Sequence, residues 1–260
     1  MTPSFLFIFL ITLAISLLGL AGGILLLWHK RLLQRGAQYL MSFAAGSILG
    51  AAFLNLLPEA LRQTNNIQTT SFFVLVGVLI FFGLEKLLIL HHHTHDVGRE
   101  AVLDAERTHS LRSARPLVIV GDALHNFLDG AVIAIAFLAD MKIGIITALA
   151  VVAHEIPQEI GDFSILVHSG MERRRVLLWN ILGALVSPLG AILGFTAYEM
   201  YHKVEPVFLA LIVGNFVYLA LADLVPTIKH ETRMRQSLAQ ISLVILGIAI
   251  VWWLGYLLPA

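Results

Sequence analysis

Residues 125–130 read HNFLDG and residues 154–162 read HEIPQEIGD, and both segments lie inside apolar stretches long enough to cross a bilayer. An ionisable side chain at that depth is costly unless it shares a partner, so such a cluster marks a functional site by default. The residue types narrow the chemistry. Histidine, aspartate, glutamate, asparagine and glutamine together make a nitrogen and oxygen ligand set for a divalent transition metal. The chain has no cysteine, so neither thiolate ligands nor disulfides enter the argument. Helical spacing sorts the candidates. His125 and Asp129 are four residues apart and share a face, with Asn126 beside them and Asp122 one turn earlier. His154 pairs in the same way with Gln158, and Glu155 with Glu159, with Asp162 one turn on. Pro157 cannot donate to the carbonyl of Ala153, which frees a backbone oxygen next to these ligands. The first reading is a membrane-embedded metal site.

The elements that must position these groups follow from composition. Of the 260 residues 58% are hydrophobic and only 13% charged, and mean hydropathy is +0.85, which places the chain in the membrane class. Eight runs are long enough to span: 5–28, 37–60, 71–91, 116–138, 143–169, 175–199, 206–227 and 238–258. The first lacks a positively charged leader and exceeds the apolar core of a signal peptide, so it is expected to remain as a helix. The runs lack the alternation of a membrane barrel, and short connections make neighbouring helices antiparallel. The expected fold is therefore all-α, a single polytopic transmembrane domain over 1–260. Its one long connection, 92–115, carries part of the sequence HHHTH of residues 91–95. That histidine-rich stretch reads equally as an ordinary solvated loop or as a metal buffer.

Charge sets the expected orientation. Of the 17 basic residues, 13 fall in one set of loops and 3 in the other, with Lys86 inside a span. The positive-inside rule then puts the long loop in the cytoplasm and both termini outside. Taking helix centres near residues 127 and 156, His125, Asp129, His154 and Gln158 fall within about 3–5 Å of the midplane. Asp122 and Asp162 lie about 8–9 Å towards the cytoplasm, where a leaving ion would pass. Gly130 and Gly161 are expected to let the fourth and fifth helices approach closely. The second and seventh helices match at a constant offset of 168: Gly46 with Gly214, Asn55 with Asp223, Leu56 with Leu224, Pro58 with Pro226. Five helices apart, they run in opposite directions, which is the signature of an inverted repeat.

These features resemble the ZIP (Zrt/Irt-like protein) family of divalent-metal transporters, and most of all its histidine-rich subfamily. There the fourth helix carries HNFxDG and the fifth HEIPHE(L/I)GD. AAGSILGAAFLNLLPEA in the second helix and the histidine-containing loop between the third and fourth are similar too. The resemblance implies eight helices, with 1–3 and 6–8 related by inversion around 4–5, and a two-metal site from helices four and five. It implies that metal moves towards the cytoplasm. Carried over by position, His125, Asp129, His154 and Gln158 would bind the first metal. Asn126 and Glu155 would complete the second, with Asp129 or Gln158 bridging and Glu159 nearby. Two positions depart from the pattern. Gln158 stands where the subfamily has histidine, and Asn55 where the second helix often has histidine; both changes should loosen binding or shift selectivity.

Two other functional classes fit these residues less well. HEIPQ superficially resembles the HExxH of zinc proteases, but its fifth residue is Gln158 and Pro157 interrupts the helix that motif needs. An intramembrane metalloprotease is thus set aside, as is a membrane protein that binds metal without moving it. The expectation is a carrier and not an enzyme, working by alternating access. Zinc is its foremost cargo, with iron, manganese and cadmium as further candidates, and it holds no resident cofactor. Its partners are expected to be divalent ions and the lipid bilayer, with no nucleic acid. A homodimer is left open, and the cell (inner) membrane is the expected location.

Overall fold

The structure is a computed structural model that describes residues 4–93, 115–201, 205–228 and 233–258. Every regular element among these residues is helical: α1 (Phe5–Ala51), α2 (Leu57–Thr64), α3 (Ile67–His93), α4 (Arg115–Ala139), α5 (Met141–His168), α6 (Arg173–Ala184), α7 (Ser187–Tyr201), α8 (Glu205–Leu219), α9 (Val225–Ile228) and α10 (Met234–Leu257). They contain eight segments long and apolar enough to cross a membrane. Large side chains such as Leu10, Phe72, Leu79, Leu193, Ile245 and Trp252 face outward, as the lipid side of a bundle requires. Thr94 and His95, and with them most of the 92–115 loop, lie outside the described residues.

Two boundaries differ from the sequence reading. The first two spans are joined without a break, because α1 runs helically for 47 residues, about 70 Å at 1.5 Å per residue. The connecting stretch WHKRLLQR holds neither glycine nor proline, and its Lys, Arg, Leu and Gln are good helix formers. Its two halves pack on different partners: Gly19, Gly22 and Gly23 lie against α5, while Gly46 and Gly50 lie against α10. The sixth span, by contrast, is interrupted between α6 and α7. Pro188 has no N–H to offer the carbonyl of Ala184, so the chain turns at 185–186 before resuming.

The inverted repeat extends well past the residues that revealed it. A five-residue π-turn, Ala52–Leu56, leads into Pro58, and a second, Ala220–Leu224, leads into Pro226. The two turns start and end at the same offset of 168. Packing repeats as well. A Cβ on Gly46 would strike the carbonyl of Val244 on α10, and one on Gly214 would strike that of Val74 on α3. Gly77 and Gly247, 170 apart, meet the carbonyls of Leu211 and Phe43 respectively, which are 168 apart. Small residues let these backbones touch, so each pair locks by close approach.

The central pair obeys the same operator. Gly22 abuts the Ile156 carbonyl on α5, and Gly190, which is 168 further on, abuts the Phe127 carbonyl on α4. Phe127 and Ile156 are 29 apart, which is also the spacing of His125 and His154. The pseudo-two-fold therefore exchanges α4 with α5. These helices are joined by the single residue Asp140, whose carboxylate caps α5 by accepting from Ile143 N at 3.1 Å. Most of the core lies towards this hairpin, around Phe137, Ile133, Ile146, Phe216 and Ile48. A smaller cluster of Leu20, Ile160, Phe163, Leu166 and Val176 sits towards the basic end.

Candidate metal centre

α4 and α5 bring four side chains to one point. His125 Nε2 lies 3.1 Å from His154 Nε2, 3.7 Å from Asp129 Oδ2 and 3.6 Å from Glu155 Oε1. His154 Nε2 lies 2.9 Å from Asp129 Oδ2 and 3.8 Å from Glu155 Oε1. All four ligand atoms fall within 4.8 Å of one another. A tetrahedral ion with ligands about 2.0–2.2 Å away has edges of about 3.3–3.6 Å, and the observed separations straddle that value.

Protonation chemistry points the same way. His154 Nδ1 sits 3.1 Å from the carbonyl of Ala150, which can only accept, so Nδ1 carries the proton and Nε2 presents a lone pair. Asp129 Oδ2 and Glu155 Oε1 are buried and receive no hydrogen bond. Lone pairs of His154, Asp129 and Glu155 thus converge with His125 Nε2 beside them, an arrangement that a cation among them would relieve. His154, Asp129 and Glu155 side chains are at most 3% exposed, whereas His125 is 21% exposed and forms the accessible side.

The remaining candidates surround this quartet. Asn126 is buried and donates through Nδ2 to Asp122 Oδ1 at 2.8 Å and to the Asp122 carbonyl at 3.1 Å. Glu159 is buried one turn beyond Glu155 with neither carboxylate oxygen hydrogen-bonded. Glu155, Glu159, Asp122 and Asp162 lie near enough to feel one another's charge, forming a carboxylate series towards the basic end. Gln158 and Asp162 are half-buried. α5 continues through Pro157, whose missing N–H leaves the Ala153 carbonyl without its helical donor.

Spacing groups Gln158 with His154; among the acids and histidines the quartet is completed by Glu155. Its position depends on α1, which no motif pointed to. A Cβ on Gly19 would lie 3.1 Å from Glu155 Cβ and 3.2 Å from Oε2, so glycine there makes room for the carboxylate. The signal in the sequence is the small-residue run GLAGG of residues 19–23 inside an otherwise bulky helix. The expected α4–α5 approach at Gly130 and Gly161 is corrected. Gly130 meets the Ser187 backbone of α7, because α4 has its glycine-lined seam with α7 through Gly190 and Gly194. Gly161 faces open space.

Comparison with known proteins bears on this geometry. The family model described as ZIP Zinc transporter matches residues 4–116 and 90–255. Zinc transporter ZIP13 of Pongo abelii is 32% identical over 240 residues, covering 86% of this chain and 66% of that protein. Zinc transporter ZIP13 of Mus musculus is 30% identical over 247 residues, covering 82% of this chain and 68% of its own length. Zinc transporter ZIP6 of Homo sapiens is 37% identical over 141 residues, 54% of this chain and 18% of that protein. The chain thus spans about two thirds of the ZIP13 relatives and under a fifth of the ZIP6 relative.

Proposed function

The chain belongs to the ZIP zinc transporter family, a family of transporters and not of enzymes, and from that premise we propose that it carries zinc across a membrane through the α4–α5 quartet. The observation that carries the proposal is the convergence of His125, Asp129, His154 and Glu155 with separations near the edges of a zinc tetrahedron. Mixed imidazole and carboxylate ligands bind a dehydrated ion well, yet without thiolate they also release it. The same set accepts iron, manganese or cadmium. A second ion is held by Glu159 with Asn126 and Gln158, sharing Glu155 as a bridge. The two unpartnered oxygens of buried Glu159 support that assignment.

Direction follows from charge. With the basic loops in the cytoplasm and both termini outside, the ion enters from the side of the α4–α5 hairpin and leaves past Asp122 and Asp162. The inverted repeat supplies two halves that rock about the site, as alternating access requires. The cell (inner) membrane is the proposed location, and a homodimer the proposed assembly.

Purified protein in liposomes tests the reading. Zinc added outside should reach a trapped fluorescent chelator with wild-type protein, and not with empty vesicles. A correctly inserted protein that binds zinc without moving it would leave only the binding-protein reading standing.

A further inference from the structure

The basic end of the bundle holds a polar group that the quartet does not use. Asn180 of α6 is 1% exposed. Its Nδ2 donates to the Val176 carbonyl at 2.7 Å, and its Oδ1 is buried with no donor. Only the amide nitrogen can bond a carbonyl, so that contact fixes which end of the side chain is which. What remains is a buried acceptor left unsatisfied, a costly state that calls for an explanation.

Asn180 lines a narrow cleft together with Val118, Ile119, Asp122, Leu166 and Trp179. Asp122 is the one ionisable group in that lining, and it is 7% exposed. Its Oδ1 is engaged by Asn126, the neighbour of His125. Its Oδ2 faces Gly183, one turn beyond Asn180 on α6, where any Cβ would collide with it. Asp122 from α4 and Asn180 from α6 thus line one cleft, and Asp122 is one hydrogen bond from the neighbour of His125.

The pseudo-two-fold isolates this pair. At offsets of 29 and 168 it carries Asp122 to Val151 and Asn180 to Thr12, both buried. The Thr12 hydroxyl is satisfied, donating to the Ile8 carbonyl at 2.5 Å. The equivalent positions near the hairpin hold no carboxylate; there Thr147, the mate of Val118, brings a buried hydroxyl without a partner, so among the described residues the carboxylate and amide combination belongs to the basic end.

We propose that Asp122 and Asn180 form a separate, oxygen-only station for a divalent cation between the quartet and the basic face. The station rests on the carrier reading and extends it: an ion leaving imidazole for carboxylate and amide oxygen meets weaker ligands, so its affinity falls stepwise on the way out. Asn180 is assigned a binding role that helix α6 contributes to a pathway otherwise built by α4 and α5.

Cadmium is the probe. Crystals of the full chain soaked with it should show an anomalous peak at the quartet and a weaker one between Asp122 and Asn180. Asn180→Leu should erase the second peak, keep the first, and slow cadmium flux in liposomes roughly tenfold. Asn180→Asp should keep and strengthen the second peak; it also decides the matter if the leucine variant does not insert. A wild-type map with the first peak alone overturns the station, as does wild-type flux from a folded Asn180→Leu protein. Both peaks without any flux would support the station and sink the carrier reading instead.

Discussion

His154 is the residue on which the centre turns, because its Nδ1 is tied to the Ala150 carbonyl and its Nε2 has nowhere to point but inward. His154→Ala removes that lone pair and leaves the apolar packing intact. It should weaken zinc binding by at least the roughly 100-fold that losing a supporting group can cost, and transport should fall to background. Near wild-type uptake would place the centre elsewhere. Gln158→His offers an imidazole one turn from His154, so it should tighten zinc binding in a titration and slow release; unchanged affinity would mean that position 158 does not face the metal. Protons compete with zinc for the same imidazole nitrogens, so affinity should fall steadily as pH drops from about 8 to about 5. A flat profile would leave carboxylates as the only binding groups. Spacing alone brought out His125, Asp129 and His154, since residues four apart on a helix share a face. It could not show how Glu155 is seated, because that depends on a glycine 136 residues away making room for the carboxylate.

At the level of elements, apolar length made eight spans legible, while the joints between them were not. The unbroken α1 reflects local propensity overriding a charge-rich stretch that reads as a loop, and the break before Pro188 reflects one missing N–H inside a run that hydropathy sees as uniform. The repeat was visible at four positions, but its π-turns leave no mark in composition and emerge only from hydrogen bonding. Close backbone contact at Gly46 and Gly214 makes a firm prediction. Leucine at either position must push helices apart, and should destabilise the protein by about 1–3 kcal/mol or more, read as thermal unfolding in detergent. Gly161, with nothing near its missing Cβ, is the control: Gly161→Ala should be neutral or stabilise the helix by up to about 1 kcal/mol. Equal behaviour at the three sites would contradict the packing.

For the whole molecule, the absence of cysteine makes the proposed orientation directly readable. Ile67 at the hairpin end is 67% exposed and the Glu172 side chain at the basic end is 76% exposed, so each can carry a lone thiol. An impermeant maleimide added to intact cells should label Ile67→Cys and spare Glu172→Cys; the reverse pattern would invert the topology. The pseudo-two-fold has a thermodynamic consequence of its own. It interchanges His125 with His154, whose Nε2 atoms are 3.1 Å apart, so these two ligands straddle the axis, while Asp129 is carried to Gln158 and Glu155 to Asn126. An ion there is offered the same two imidazoles whichever side opens. For a carrier without a coupling ion, the oxygen pair at one end changes how fast an ion departs by that route, not where equilibrium lies. Vesicles preloaded with zinc and diluted into chelator should therefore drain through the same protein that filled them, and flow should stop when the zinc potential is equal on both faces.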